Sequence, residues 1–449
     1  MTKWYERAAF YHIYPLGLCG APRVNTQGPT EHRLPALEEW LPHIRGLGCE
    51  GIYIGPLFES SSHGYDTVDY KLVDRRLGDH QDFRHFVDEA HRLGMKVVVD
   101  GVFNHTGREF FAFRDIREHR ERSRYCGWYK GLNFGWNNGW NDGFSYESWR
   151  NCGDLVNLNL QNREVKDYLF DVIRFWIREF DIDGIRLDCA DCLDFDFMKE
   201  MRWMTGNEKA DFWLMGEVIH GDYARWANNE MLHSVTNYEL HKGLYSGHND
   251  HNYFEIAHTI RRQFDENGGI YRGRTLYNFV DNHDVARLSS KLNDRRHLRP
   301  VYALLYTLPG LPSVYYGSEW GIEGKKEYGD AALRPAIDLK EIKAHPPVPG
   351  LEEFIAFLGE CRQKYPVLAT GRYRELLLTN RQYAFARMDG GCAVVTAVNN
   401  DENEARLQIR LPVDAKQIED METGEALTQE YGQLCVTVPG CGCRFFSIG

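Results

Sequence analysis

The sequence predicts an α/β chain built on a (β/α)8 barrel, with an irregular insertion after strand 3 and a C-terminal antiparallel β-sandwich. Three observations predict it. From residue 10 to about residue 364, short apolar β-rich runs alternate with amphipathic stretches, as parallel β/α units of a TIM-type barrel require. Several of those runs end in a carboxylate, the pattern of a barrel whose strand ends build a site. After Tyr365-Pro366 the helical period vanishes and alternating strands replace it. The implied bounds are 1–105 and 155–364 for the two parts of the barrel, 106–154 for the insertion and 365–449 for the sandwich.

The barrel is expected to begin near Phe10. Gly51-Ile-Tyr-Ile-Gly55 reads as a buried strand. Phe83, Phe86, Val87 and Ala90 share one face of a helix expected from Asp82 to Leu93, with Gly94 as its C-cap. Lys96-Val-Val-Val-Asp100 is the next strand. Asn162 can N-cap a long helix through Phe180, whose apolar stripe is Val165, Leu169, Val172, Ile173, Trp176 and Ile177. Gly184 to Asp188 returns as a strand, and Phe212–Glu217, Ser234–Tyr238, Leu276–Val280 and Ser313–Tyr316 continue the series to about eight units.

Residues 106–154 interrupt the alternation and carry Trp128, Tyr129, Phe134, Trp136, Trp140, Tyr146 and Trp149. An irregular stretch of that length in a compact domain needs a function or a small core of its own. In the tail, Tyr383–Arg387, the turn Asp389-Gly-Gly391 and Cys392–Val398 read as a hairpin, and Thr423-Gly424 marks another turn. His345-Pro-Pro-Val-Pro-Gly350 is a stiff loop before the last helix.

Composition narrows the function class. The chain has 449 residues, 43% hydrophobic and 26% charged, which is ordinary for a water-soluble globular protein. Its formal charge of −12, with no basic stripe, argues against a nucleic-acid backbone as the usual partner. Met1 to Phe10 has no apolar signal core and no later run is long enough to span a bilayer, so no membrane association is expected. Eleven cysteines suit reduced thiols in a cytoplasm better than a disulfide framework. Cys189-Ala-Asp-Cys192 and Cys441-Gly-Cys443 lack the partner pair of a zinc site, so packing roles are expected.

Chemistry concentrates in four segments: Asp100-Gly-Val-Phe-Asn-His105, Gly184-Ile-Arg-Leu-Asp188, Leu214-Met-Gly-Glu217 and Phe279-Val-Asp-Asn-His-Asp284. Arg186 and Asp188 are two apart on one strand and point to the same face. The guanidinium is expected to lower the Asp188 pKa and keep it ionised, as a nucleophile requires. The apolar lead-in to Glu217 favours its protonated form, as a general acid requires. His283 and Asp284 offer hydrogen bonds and a third negative charge near a developing oxocarbenium ion. One nucleophilic and one acid/base carboxyl at short separation would constitute retaining glycoside hydrolysis. Each fragment alone is a weak signal, because a strand-end Asp is ordinarily a cap or an ion-pair partner.

Together, in this order, the four segments resemble the motifs of the α-amylase superfamily, glycoside hydrolase family 13, across essentially the whole chain. Gly51–Phe58, Leu155-Val-Asn-Leu-Asn159 and Gly310–Glu319 are similar to accessory motifs. The resemblance implies Asp188 as nucleophile, Glu217 as acid/base and Asp284 as transition-state stabiliser. It implies that His63, Tyr65, His105, Arg186 and His283 line the pocket for the sugar being cleaved, with Tyr65 stacking on it. Asp330 and Arg334 fit the DxxxR pair that helps bind that sugar. Asp100 is expected to organise the Asn104-His105 corner.

Asp188-Cys-Ala-Asp and Gly216-Glu-Val-Ile-His220 are similar to the neopullulanase and cyclomaltodextrinase group, whose segments run DVANE and GEIWH, and Asn237-Tyr238 adds to this. That group carries an N-terminal dimerisation sandwich, whereas here the barrel begins near Phe10, so oligomeric state is left open. Typical α-amylases place Lys-His just after the nucleophile, the histidine carbonyl serving calcium. Here Asp191-Cys192 stands there while Asn104 is retained, so no cofactor is expected and calcium is left open. The tryptophans of the insertion are expected to serve both as glucose platforms and as subdomain core.

The leading expectation is hydrolysis of α-glucosidic bonds in short or cyclic maltodextrins, with an α-glucan oligosaccharide as partner. A transglycosylase or isomerase acting on sucrose, trehalose or maltose would use the same covalent intermediate. A non-catalytic binding protein on the same scaffold is expected to have lost Asp188, Glu217 or Asp284, and all three are present.

Overall fold

The computed structural model describes residues 2–413, 415 and 417–449. Eight parallel strands form its centre: β1 (Phe10–Ile13), β2 (Gly51–Ile54), β3 (Lys96–Gly101), β4 (Gly184–Leu187), β5 (Trp213–Gly216), β6 (Ser234–Val235), β7 (Tyr277–Phe279) and β8 (Leu311–Tyr315). Each pairs with the next, except that β6 and β7 meet only through one parallel bridge, Thr236 to Tyr277. There the Asn237 N–H donates to the Tyr277 carbonyl at 2.8 Å. Because β8 also pairs with β1, Phe10 opposite Ser313, the sheet closes into a barrel.

These strands are apolar along their length because both faces are covered. In β3, Val97, Val98 and Val99 are all fully buried, and β-branched residues suit that position. The lumen is packed by Phe10, Val98, Trp213, Met215, Tyr277, Phe279 and Leu311, with Phe10 and Trp213 stacked at 4.7 Å. Gly51 makes room for this layer, since a Cβ there would lie 2.5 Å from the Phe10 ring.

The outer shell includes α1 (His80–Arg92), α2 (Arg163–Phe180), α3 (Phe195–Glu208), α4 (Tyr238–Asn249), α5 (Tyr253–Phe264), α6 (Leu298–Thr307) and α7 (Leu351–Lys364). Asp79 caps α1 by accepting from the Gln81 and Asp82 N–H groups, and Gly94 ends it at φ +77°. Asn162 caps α2 through the Glu164 N–H, and the predicted stripe is buried. Within it Trp176 stacks on Phe58 at 4.2 Å, and its Nε1–H donates to the Tyr70 carbonyl at 2.7 Å. A Trp176→Ala change would therefore cost about 3–5 kcal/mol.

Two elements depart from expectation. The crossover from β5 to β6 holds only a 3-10 turn, Tyr223–Arg225, instead of an α-helix. Strand β6 stops at Val235, short of the expected Tyr238, because the Asn237 side chain accepts from the Leu240 N–H and starts α4. That turn draws the following residue, Tyr238, over the barrel mouth.

The insertion leaves after β3 through His105–Gly107, which pairs antiparallel with Leu155–Asn157 on return. Its own core joins Phe113, Ile116, Tyr129 and Phe144, all buried. Trp128 is also buried, whereas Trp136 and Trp140 are 70% and 58% exposed.

After α7, strands β9 (Arg372–Leu378), β10 (Gln382–Asp389), β11 (Cys392–Asn399), β12 (Ala405–Arg410), β13 (Ile418–Asp420), β14 (Ala426–Leu427), β15 (Gln433–Val438) and β16 (Gly442–Ile448) follow. One sheet runs β9-β10-β11-β16-β13-β14 and the other pairs β12 with β15. Between them lie Ala386, Val395, Ile409, Leu434, Val438 and Phe446. The sandwich is fixed to the barrel by Arg387, whose Nη1 donates to the Thr307 and Leu368 carbonyls at 3.0 and 2.7 Å. Among the described residues no helix is long and apolar enough to cross a membrane.

Candidate active site

The carboxylates gather at the C-terminal ends of the barrel strands. Asp100 lies in the last turn of β3, Asp188 directly follows β4, Glu217 directly follows β5, and Asp281 to Asp284 follow β7. Strand ends hold side chains rigidly, and in this barrel architecture that face is where chemistry sits. Gly55 clears the space for Asp100, because a Cβ there would meet the Asp100 Cβ at 2.4 Å.

Arg186 organises the group. Its Nη1 lies 2.8 Å from both Asp100 Oδ1 and Asp188 Oδ1, and its Nη2 lies 2.8 Å from Glu217 Oε2. One cation thus spans three buried carboxyls, and their proximity holds its pKa well above the usual range despite burial. Asp100 Oδ2 accepts in addition from the Tyr53 and Tyr65 hydroxyls at 2.8 and 2.9 Å. Asp100 is therefore the anchor of Arg186 and Tyr65 rather than the organiser of the Asn104-His105 corner.

Burial pushes the Asp188 carboxyl up, to about 7. Arg186 opposes that rise, while the negative charges of Glu217 and Asp100 add to it. Arg186 thus lowers this pKa, as expected, but does not keep it low: a guanidinium shared among three carboxyls does not offset the lost hydration. Glu217 likewise does not sit in an apolar surround. It meets Arg186, the Cys189 N–H at 3.4 Å on Oε2, and the Tyr238 hydroxyl at 3.2 Å on Oε1. One oxygen of Asp188, one of Glu217 and Cys189 Sγ all lie within 4.8 Å of one another.

Across the cavity, Asp284 Oδ2 is 2.9 Å from His283 Nε2, and its Oδ1 is 2.9 Å from Arg334 Nη2. Burial works against ionisation there, but His283 and Arg334 outweigh it and hold the carboxyl well below the usual range. Arg334 also lies 3.6 Å from Asp330, which Lys326 Nζ approaches at 2.5 Å. Tyr65 accepts from His283 Nε2 at 2.5 Å while donating to Asp100. Burial drives His105 down to about 3, so its ring is neutral at neutral pH. The Asn104 Nδ2–H donates to His105 Nδ1 at 3.2 Å, and His105 Nε2 is buried without a hydrogen-bond partner among the described residues.

These groups surround a cavity of about 470 Å³. Of the residues singled out in the sequence, His63, Tyr65, His105, Asp188, Glu217, Asp284, Asp330 and Arg334 line it. Arg186 and His283 lie just beneath, holding the lining carboxylates. Sequence reasoning missed Cys189, Tyr238, Arg150 and Asp191, all in the wall. Cys189 stood in a CxxC read as packing, but its Sγ is 3.1 Å from Asp188 Oδ2. Its position next to Asp188 was the available signal. Of the insertion's seven named aromatics only Trp149 is in the wall.

A calcium ion takes roughly six to eight oxygen ligands, and Asn104 is the retained position that the resemblance ties to one. Its Nδ2 is directed to His105 and to Asn157 Oδ1 at 3.3 Å. Among the described residues, the two groups of three ligating His, Cys, Asp or Glu side chains lie elsewhere.

The family model for the alpha amylase catalytic domain matches residues 25–347. The chain belongs to the α-amylase family. It is a glycoside hydrolase of that family, with neopullulanase- and cyclomaltodextrinase-like relatives. Neopullulanase 2 of Thermoactinomyces vulgaris is 31% identical over 467 residues, covering 97% of this chain and 77% of that protein. A cyclomaltodextrinase of Geobacillus thermopakistaniensis is 30% identical over 474 residues, covering 99% and 77%. Among solved structures, the ligand-free cyclic α-maltosyl-(1→6)-maltose hydrolase of Arthrobacter globiformis aligns with a TM-score of 0.82 and 25% identity over 99% of each chain. In this family member the likeness to the two curated relatives thus runs over nearly the whole chain and about three quarters of each relative.

Proposed function

We propose that this α-amylase family member hydrolyses α-glucosidic bonds in short or cyclic maltodextrins with retention of configuration. The observation that carries the reading is the spacing of Asp188 and Glu217, whose nearest oxygens are within 4.8 Å. Retaining glycosidases place the two carboxyls roughly 5–5.5 Å apart, and inverting ones roughly 6.5–9.5 Å, to admit a water. The names of the relatives, neopullulanase and cyclomaltodextrinase, support maltodextrin as the substrate class.

Asp188 attacks the anomeric carbon while Glu217 gives its proton to the departing glycosidic oxygen. The C1–O bond breaks and a C1–Asp188 ester forms. Glu217, now ionised, takes a proton from water, which attacks C1 and releases Asp188. Asp284, held ionised by His283 and Arg334, offers its charge to the positive sugar ring between these states. Arg186 keeps the Asp188 and Glu217 oxygens in place through both steps. His105 Nε2, without a hydrogen-bond partner among the described residues, suits a sugar hydroxyl, and Tyr65 and His63 line the pocket with it. Asp330 and Arg334 hold the rim beside Asp284.

The test compares initial rates and products on maltotriose, β-cyclodextrin, pullulan, starch, sucrose and trehalose, with Asp188→Ala as control. Faster turnover of β-cyclodextrin than of starch is expected, and loss of turnover in the control. Indifference to every α-glucan, or a dominant transfer product under saturating acceptor sugar, would overturn the reading.

A further inference from the structure

Residues 135–143 read Gly-Trp-Asn-Asn-Gly-Trp-Asn-Asp-Gly, a Gly-Trp-Asn unit repeated after four residues. Its two indoles, Trp136 and Trp140, are among the most exposed large side chains of the molecule. Isolated exposed apolar groups need no explanation, but a repeated pair on a braced loop does. The bracing is extensive. Asn138 Oδ1 accepts from the Trp140 N–H at 2.8 Å, and Asn137 Oδ1 accepts from the Gly143 N–H at 2.7 Å. Asn137 Nδ2 donates to Asn141 Oδ1 at 2.7 Å. Arg108 holds Asp142 through two contacts of 2.9 Å and lies 4.6 Å from the Trp140 ring centroid. Its guanidinium thus covers part of one indole while the ring stays 58% exposed. The asparagines act as turn formers and fix the backbone that carries both rings.

The loop is also continuous with the cavity. A Cβ at Gly153 would lie 3.0 Å from Trp140 Nε1, so the indole N–H edge abuts Gly153. The neighbours of Gly153, Cys152 and Asp154, both line the cavity. That N–H has no hydrogen-bond partner among the described residues. A rigid flat ring with a free donor on its edge matches the face and hydroxyls of a pyranose, and holding it in place beforehand spares the ordering cost of binding.

We propose that Trp136 and Trp140 form a platform at the cavity rim that binds glucosyl units of an α-glucan chain beyond those held at the cleavage point. The proposal rests on the α-glucan reading of the active site and adds to it contacts that maltodextrins longer than maltotriose can reach.

Steady-state kinetics of Trp136→Ala, Trp140→Ala and the double variant, on short-chain amylose and on maltotriose, test it. The double variant raises KM for amylose roughly tenfold, equivalent to about 1.4 kcal/mol, and leaves kcat and the maltotriose constants unchanged. Trp→Phe at both positions restores most of the amylose affinity, which separates lost stacking from misfolding. An unchanged amylose KM, or equal losses on both substrates, would overturn the platform. So would a change in oligomeric state of the double variant without a kinetic effect, which would assign the face to contact between copies. If the wild type cleaves no α-glucan, the active-site reading fails on its own. Quenching of tryptophan fluorescence by amylose, lost in the double variant, still tests the platform in that case, and amylose that quenches both proteins equally or neither would overturn it.

Discussion

The Cys189 thiol donates to Asp188 Oδ2 at 3.1 Å, so the proposed nucleophile carries a hydrogen bond from the residue that follows it. Burial and the charges of Asp188 and Glu217 keep this thiol protonated, hence a donor. Cys189 holds a left-handed backbone, φ +46°, which turns it back toward the carboxylate. A hydrogen bond to the ionised form favours that form. Cys189→Ala is expected to move the acid limb of the kcat/KM–pH profile upward and to lower kcat/KM about three- to tenfold, the scale of one hydrogen bond of about 1 kcal/mol from a weak thiol donor. Cys189→Ser should recover most of the loss. An acid limb identical in wild type and Cys189→Ala would remove the thiol from the account.

Arg186 joins Asp100, Asp188 and Glu217 at 2.8 Å each. Arg186→Met leaves Asp100 buried without its cation, and is expected to cost about 3–5 kcal/mol of stability. It should also lower kcat by about 100-fold or more, because the preorganised charge at the reacting groups is gone. Urea unfolding and steady-state kinetics check the two effects. A variant with wild-type kcat would show that the shared guanidinium has no role in chemistry.

The pH dependence follows from Asp188. Its carboxyl is raised to about 7, and it must be ionised to attack. The rate kcat/KM should therefore fall as pH drops through the range near 7, well above the ordinary aspartate value of about 4. A profile flat from pH 5 to pH 8 would contradict this. The limb belongs to the coupled carboxyl group rather than to one residue, so its midpoint shifts when Cys189 or Arg186 changes.

Asp183 tests the barrel's lower end. It is 1% exposed and lies 2.6 Å from His91 Nε2 and 2.9 Å from both Lys96 Nζ and Lys209 Nζ. Burial opposes its charge, but those partners hold its pKa well below the usual value. A depressed folded pKa stabilises above the unfolded value of about 3.9, and that contribution is lost as pH falls further. Asp183→Asn should lose about 3 kcal/mol at pH 7, with the gap to wild type narrowing below about pH 4. Denaturant unfolding at several pH values measures it, and a pH-independent gap would refute the linkage.

Most of the barrel was legible because its signal is local. The stripe of α2, the Asn162 cap and the valine run of β3 each announce an element without reference to the rest of the fold. Among the residues that line or support the cavity, Arg186, Asp188 and Glu217 were legible for the same reason: they sit at strand ends in recognisable segments. What was hidden depends on packing between distant segments. The rise of the Asp188 pKa follows from four side chains being buried together, which spacing along one strand does not reveal. Cys189 looked like a core thiol until the turn after β4 aimed it at Asp188. Asp100 looked like a local organiser, yet its partners come from β2, β4 and the loop after β2, residues 47, 86 and 35 positions away.

The roles proposed for Asp188 and Glu217 are those of nucleophile and acid/base across a short gap. Proton NMR of the first-formed reducing end, recorded from β-cyclodextrin or maltotriose before mutarotation, tests them most directly. The spacing of these two carboxyls predicts the α-anomer. Initial release of the β-anomer would contradict it, because inversion needs a water between the carboxyls and a wider separation.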